Sequence, residues 1–270
     1  MPFPYKNVLV LGATSGLGKA LAETILKNSK AKVVVTGRRE ERLKNFVAQY
    51  DERASFAAFD MTKLDQIEGN LKKIITAHPD IDMVVHNAGI MRAVYFHQPE
   101  RVDMDALNEE LTVNYTSVLY TLKYVLPHLL SLGEGTTKNA AFAFVTSGLA
   151  ITPFVRSGNY SATKAAVHAL VYTVREQLAR TNVEVIEIAP PLVKTELDAA
   201  DTEVKESKLP ALPLDSFIAD VWKDLEAGKT TIAPGSAGMR FEKVESVREP
   251  LFRGIDNYVK DAPWWPKDRA

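Results

Sequence analysis

Val8-Leu9-Val10-Leu11-Gly12-Ala13-Thr14-Ser15-Gly16-Leu17-Gly18 is the stretch that decides how this chain folds. Four consecutive apolar residues without polar alternation read as a strand buried on both faces. The glycines that follow permit a tight turn, and a helical pattern opens at residue 17. At a strand-to-helix junction of this kind the backbone can approach a pyrophosphate, and the free N–H groups of the helix N-terminus face its charge. Gly12, Thr14, Ser15, Gly16, Leu17 and Gly18 are therefore candidate cofactor contacts. The spacing is Gly-x-x-x-Gly-x-Gly rather than the commoner Gly-x-Gly-x-x-Gly, and a plain glycine-rich turn is the other reading.

Working outward, similar short apolar runs recur at 32–36, 55–59, 83–86, 141–146, 183–188 and 230–232. Helical patterns separate them at 17–28, 40–50, 64–77, 103–132, 160–180 and 214–227. This alternation predicts βαβ units and a doubly wound parallel α/β sheet with helices on both faces. Pro127 predicts that 103–132 is two helices or one bent helix. Residues 190–213 carry four prolines and a charged centre at Glu203, Lys205, Glu206 and Lys208, so they read as an insertion. The segment from about 236 to 270 shows no clear periodicity and contains Ala262-Pro263-Trp264-Trp265-Pro266. No internal repeat or linker interrupts the chain, so one domain over 1–270 is expected.

Composition narrows the function. A hydrophobic fraction of 46% and a charged fraction of 25% suit a globular enzyme-sized domain. The net charge of −1, with no basic block, leaves nucleic-acid binding without its electrostatic footprint. No apolar run reaches the roughly 18–20 residues of a membrane span. The chain has no cysteine, which removes disulfides, thiolate metal ligands and a thiol nucleophile together. A cytoplasmic location is the expectation.

The second strand should end near an adenosine ribose, where NAD-preferring sites place an acidic residue about 20 residues after the glycines. Here that position falls in Thr36-Gly37-Arg38-Arg39. Two guanidiniums and no carboxylate suit a 2′-phosphate, which favours NADP(H) over NAD(H). The alternative leaves Arg38 and Arg39 solvated and puts Glu40 or Glu41 on the ribose. Asp60 and Met61 follow the third strand, with Asp60 placed either to meet the adenine amino group or to cap the next helix. Asn87-Ala88-Gly89 follow the fourth, as small residues beside the cofactor or as a simple turn.

Tyr160 and Lys164 share one helix face, one turn apart. A phenol is a poor acid or base at neutral pH, and a neighbouring ammonium favours its ionised form. Such pairs arise by chance on helix surfaces, so their surroundings matter. Ser147 ends the fifth strand, at the carboxyl edge where ligands bind, and can hold a substrate oxygen beside the phenol. Asn114 offers an amide able to tether a water between Lys164 and solvent. Asn114, Ser147, Tyr160 and Lys164 are thus the catalytic candidates, with Tyr160 and Lys164 also placed against the cofactor.

These motifs together resemble the short-chain dehydrogenase/reductases over roughly residues 6–235. The family's Thr-Gly-x-x-x-Gly-x-Gly corresponds to residues 11–18, its Asn-Asn-Ala-Gly to 86–89, and its helical Asn to Asn114. Its catalytic Ser, Tyr and Lys fall on Ser147, Tyr160 and Lys164. Its Pro-Gly segment falls on Pro190-Pro191, and the resemblance places Pro190, Val193 and Thr195 near the nicotinamide. It implies a Rossmann-type sheet of seven parallel strands, hydride transfer between nicotinamide and a small carbonyl or alcohol, and a homodimer or homotetramer. Leu11, His86 and Pro191 depart from the family pattern, none of them at the four catalytic positions.

Other chemistry finds little support. The histidines show no metal-ligand spacing, so no metal is expected, and His168 reads as a packed core residue. Ser147 lacks the Gly-x-Ser-x-Gly elbow of an acyl-transfer nucleophile. Apolar residues including Phe96, Phe154, Val155 and Val193 line a hydrophobic substrate pocket or belong to ordinary core. A dinucleotide-binding sensor without turnover is the rival function.

Overall fold

Val8, Leu9, Val10 and Leu11 are wholly buried, as an uninterrupted apolar strand requires. In the computed structural model, which describes residues 3–133, 135–199 and 210–260, they lie in β1 (Asn7–Leu11). The other strands are β2 (Lys32–Gly37), β3 (Ala54–Ala58), β4 (Met83–His86), β5 (Ala140–Val145), β6 (Val183–Ile188) and β7 (Thr231–Ile232). All pair in parallel, in the order β3-β2-β1-β4-β5-β6-β7. This is the doubly wound sheet that the sequence predicts.

Side chains alternate between two cores. Val8 and Val10 meet α1 (Gly16–Asn28), α2 (Glu40–Val47) and α8 (Leu214–Glu226) on one face. Leu9 and Leu11 meet α3 (Leu64–Ala77), α5 (Ser117–Ser131) and α6 (Gly158–Gln177) on the other. On β5 the same alternation puts Ala141 and Ala143 on the first face and Phe142 and Phe144 on the second. The two rings pack at 4.7 Å between centroids, and each buried ring contributes about 1.5–3 kcal/mol.

The long helical region after β4 is divided, but not by Pro127. α4 (Met104–Leu111) passes through a π-helical turn, Thr112–Thr116, into α5, and Pro127 lies within α5. Val125 and Leu129 are both buried, so tertiary packing carries the helix past the proline.

The two ends of the 190–213 segment are stapled together. Lys194 N donates to Leu212 O at 3.0 Å, and Leu212 N donates to Leu192 O at 2.8 Å. A short helical turn, α7 (Glu196–Ala199), follows. The charged centre at 203–208 and the 262–266 stretch lie outside the described residues.

The C-terminal segment holds the main surprise. Residues without legible periodicity form α9 (Ser236–Lys260), a 25-residue helix. Ala237 and Phe241 are buried, whereas Met239, Val247, Leu251, Ile255 and Tyr258 are exposed. Apolar residues therefore occupy both sides of α9, and the 3.6-residue period is blurred.

Two glycines make opposite predictions. Gly12 has φ +85°, and a Cβ there would lie 2.6 Å from Ala88 Cα. Gly69 sits on the exposed face of α3 with nothing within 4 Å of the position its Cβ would take. Urea denaturation should show Gly12→Ala destabilised by about 2 kcal/mol or more. Gly69→Ala should gain up to about 1 kcal/mol.

Candidate active site

The sheet order reverses between β1 and β4, and the crevice at such a switch point, beyond the strand C-termini, is where open α/β sheets bind ligands. Glycine builds its floor. Asn87 Nδ2 donates to Gly12 O at 2.6 Å, which ties the β4 end to the turn after β1. A Cβ on Gly18 would lie 2.3 Å from Gly12 O and 2.4 Å from Asn87 Nδ2. Gly16 has φ +56° and faces Thr195, whose Cβ is 3.5 Å from where a Gly16 Cβ would sit. The turn after β1 and the segment after β6 thus come together beyond the strand C-termini. Leu17 is half-buried against the core beneath them.

At the β2 end, Arg39 folds over this turn. Its guanidinium donates to Thr14 Oγ1 at 2.6 and 3.0 Å and to Ser15 Oγ at 2.7 Å. It also meets Glu196 at 3.0 Å, and Arg42 donates to both oxygens of the same carboxylate at 2.8 and 2.7 Å. The two arginines hold the Glu196 carboxyl below the usual carboxylate range. Arg38 is exposed at the same edge. Glu40 and Glu41 are both paired with Lys44, at 3.1 and 2.9 Å. Sequence reasoning missed Arg42 and Glu196. Helical spacing from Arg38 and Arg39 could have found the first, but nothing local could have found the second.

Asp60 accepts a hydrogen bond from Thr62 N at 2.9 Å, forming a tight turn. The cap of α3 is Lys63, so Asp60 is not the helix cap. The side chains of Val193 and Met61 are packed into the two cores.

At the chemical end, α6 presents Tyr160 and Lys164 one turn apart, both buried. Lys164 Nζ lies 5.7 Å from the Tyr160 ring centroid and donates to Val145 O at 2.8 Å. Burial pushes the ammonium down to about 8, opposed by the charge of Glu110, so it remains cationic at pH 7. Ser147 follows β5. Its Oγ accepts from Leu149 N at 3.1 Å, which leaves the hydroxyl proton available to a substrate oxygen. Gly148 N donates to Pro190 O at 2.8 Å, fastening the serine to the end of β6.

Asn114 sits within the π-helical turn and is buried. Its Oδ1 accepts from Ile90 N at 2.9 Å; its Nδ2 donates to Ile90 O at 2.9 Å and Thr163 Oγ1 at 3.0 Å. The amide therefore clamps the chain after β4 to α6, with both its protons in use. One Oδ1 lone pair remains for a water. Gly89 borders this gap, since a Cβ there would be 3.4 Å from Asn114 Oδ1 and 3.5 Å from Lys164 Nζ.

His86 is buried and contacts Ser117 Oγ at 3.2 Å. Burial and the nearby Lys164 push its pKa down to about 3, so it stays neutral. His168 is buried as expected, but it is ionically paired rather than simply packed. Phe96 and Val155, expected at a pocket or in core, are exposed. Among the described residues there is no cluster able to hold a metal ion and no helix long and apolar enough to cross a membrane.

Comparison with known proteins bears on this geometry. Residues 6–206 match the family profile described as short chain dehydrogenase. The uncharacterised oxidoreductase DltE of Bacillus subtilis is 30% identical over 250 residues, covering 92% of this chain and 93% of the relative. A short chain dehydrogenase from Burkholderia cenocepacia, solved in complex with NADP, superposes with TM-score 0.75 at 25% identity, over 94% of this chain and 99% of that one. A 3-ketoacyl-(acyl-carrier-protein) reductase from Brucella melitensis, solved with NADH, gives 0.71 at 23% identity, over 82% and 90%.

Burying a cationic Lys164 should oppose stability. A lysine whose folded pKa is depressed binds its proton less well than in the unfolded chain, so its penalty is greatest below about pH 8 and fades as pH rises toward the unfolded value. Thermal or urea denaturation should show Lys164→Met stabilised by about 1–3 kcal/mol at pH 7, with the advantage shrinking above pH 8. A destabilised variant at pH 7 would show that the bond to Val145 O outweighs the burial of charge.

Proposed function

The chain belongs to the short chain dehydrogenase family, and on that premise we propose that it is an NADP(H)-preferring oxidoreductase acting on a small hydrophobic carbonyl or alcohol. That the chain is an NAD(P)-dependent dehydrogenase or reductase follows from the family itself. The preference, the substrate class and the residue roles are our reading.

The single observation that carries the reading is the buried Tyr160–Lys164 pair, fastened through Lys164 Nζ to Val145 O two residues before buried Ser147, at the sheet edge that also carries the glycine floor. The residues present fit a dinucleotide. At Gly12 and Gly18 a Cβ would collide with Ala88 Cα and with Gly12 O, so only glycine keeps the backbone turn this tight beside the N-terminus of α1. Gly12, Thr14, Ser15, Gly16, Leu17 and Gly18 would hold the pyrophosphate, Arg38 and Arg39 the 2′-phosphate, and Asp60 and Met61 the adenine. Asn87, Ala88, Gly89, Pro190, Val193 and Thr195 would surround the nicotinamide half. The nicotinamide, when bound, supplies or takes up the hydride.

Ser147 donates a hydrogen bond from its hydroxyl to the substrate oxygen and orients it. Tyr160 transfers a proton to that oxygen during reduction and removes it during oxidation. The Lys164 ammonium beside the ring favours the ionised phenol. Lys164 also holds the ribose. Asn114 fixes the Ile90 backbone and keeps one acceptor toward the gap beside Gly89, through which a water can return the proton. Phe96 and Val155, exposed on the segments that follow β4 and β5, suit a hydrophobic substrate. A homodimer or homotetramer built on α5 and α6 and a cytoplasmic location complete the proposal.

Tyr160→Phe should lower turnover of a confirmed ketone or alcohol by about 10²–10⁴-fold. Cofactor affinity, followed by NADPH fluorescence, should stay near its original value because the ring still packs. Retention of most activity would mean that the proton comes from elsewhere. Replacing Arg38 and Arg39 together by serine should weaken NADPH far more than NADH. Equal affinities of the unmodified protein for the two cofactors would remove the preference.

A further inference from the structure

Four elements meet around His168, one turn beyond Lys164 on α6. Its Nδ1 lies 2.8 Å from Glu187 Oε1 on β6, and its Nε2 lies 3.4 Å from Glu245 Oε1 on α9. Glu187 Oε1 also accepts from Thr146 Oγ1 at 2.7 Å. Thr146 is the residue before Ser147. Histidine 168, Glu187 and Thr146 are all buried.

Nδ1 is hydrogen-bonded to Glu187, whereas Nε2 and Glu245 Oε1 are both buried and face each other without a formed hydrogen bond, so only a cationic ring presents a proton to each carboxylate. A neutral ring has one donor nitrogen, so its other lone pair would face a carboxylate oxygen. Burial disfavours the charged ring, but Glu187 and Glu245 together outweigh it and leave the pKa raised to about 9. The other charged or titratable groups here are Tyr172 and Arg175 on α6, and Arg248 and Glu249 on α9. Tyr172 donates to Glu245, and Arg248 sits 2.9 Å from it. Arg175 donates to the backbone oxygens of Val185 and Thr230 and, with Glu249, acts on the cluster only through its field.

A buried ionic cluster of this kind is a poor source of stability, because apolar residues of similar volume pack as well without the desolvation. Its placement suggests another role. Glu187 holds the hydroxyl next to Ser147. At the other end, α9 begins on the residue after Ser147, since a Cβ on Gly148 would lie 3.1 Å from Ala237 Cβ.

We propose that His168, Glu187 and Glu245 are positioning residues for Ser147: an imidazolium held between two carboxylates fixes the strand end that carries the serine and seats α9 against it. The inference rests on the reading of Ser147 as the hydroxyl that orients substrate. It makes the C-terminal helix part of the catalytic apparatus without any contact to substrate. The sign of its pH dependence follows from the raised pKa. The imidazolium persists through neutral pH and the clamp is lost as pH rises through about 9, while its contribution to stability is full only below the ordinary histidine range.

The test uses the full chain with His168→Gln, Glu245→Gln and Glu245→Asp. Histidine ring NMR should place the His168 titration near 9 in the parent and at clearly lower pH in Glu245→Gln. Amide exchange at Gly148 and Leu149 should quicken about tenfold at neutral pH in Glu245→Gln and His168→Gln. With a confirmed alcohol substrate, kcat should fall about tenfold or more, as small misplacements of reacting groups can cause. NADPH affinity should change by less than about twofold. The alkaline decline of kcat should move to lower pH in step with the His168 titration, and Glu245→Asp should restore part of both effects. If His168→Gln does not fold, partly exposed Glu245 carries the test alone. A parent His168 that titrates at or below the ordinary value overturns the proposal. So does a Glu245→Gln protein whose exchange at 148–149, kcat and pH profile all match the parent. If the parent turns over no carbonyl or alcohol, the reading of the reaction fails, while exchange still decides whether the clamp holds the strand end.

Discussion

The approach of Ala88 to Gly12 is the contact on which the rest of the site depends. The ends of β1 and β4 come so close that no side chain fits between them, and the Asn87 amide bonds across the gap to Gly12 O. This junction opens the crevice at the point where strand order reverses. It also fixes the turn that leads into α1, whose Ser15 cap makes no side-chain hydrogen bond to the helix. From there the geometry propagates along the sheet. β4 pairs with β5, β5 delivers Ser147, and β6 brings Thr195 back over Gly16.

Around this frame, burial decides which groups carry charge. Lys164 is held in a site that would rather have it neutral, and His86 nearby gives up its proton altogether. Glu110, also fully enclosed, is pushed up by burial and drawn down by Asn159, the Arg92 backbone and the field of Lys164. The cation beside Tyr160 is thus maintained against desolvation, as groups at working sites often are. Stability and chemistry pull in opposite directions at this residue.

Much of this was legible in the sequence because it obeys local rules. Buried parallel strands show as unbroken apolar runs, and all seven are found within a residue or so of where those runs lie. Glycine positions, and the spacing of Tyr160 and Lys164, are read directly. What could not be read depends on contacts between distant residues. Pro127 signals a break, yet the real irregularity is a π-turn with no sequence mark, and packing of Val125 and Leu129 overrides the proline. α9 hides because it is apolar on both sides. His168 looks like core from its neighbours alone, and only the fold reveals that Glu187 and Glu245 reach it from other elements. Glu196 meets Arg39 and Arg42 across more than half the chain's length.

The strand order also bears on how the chain is made. During synthesis β1, β2 and β3 emerge first and pair as immediate neighbours, Asn7 with Lys32 and Val33 with Ala54. The opposite edge of β1 stays open until β4 arrives to set Met83 against Val8. β4 through β7 then extend the sheet in one direction only, each new strand adding to the last. Until β4 is available, a chain that has made only β1–β3 has nothing of its own to cover the apolar edge of β1. That interval is when such a molecule is most open to pairing with a neighbour instead of with itself.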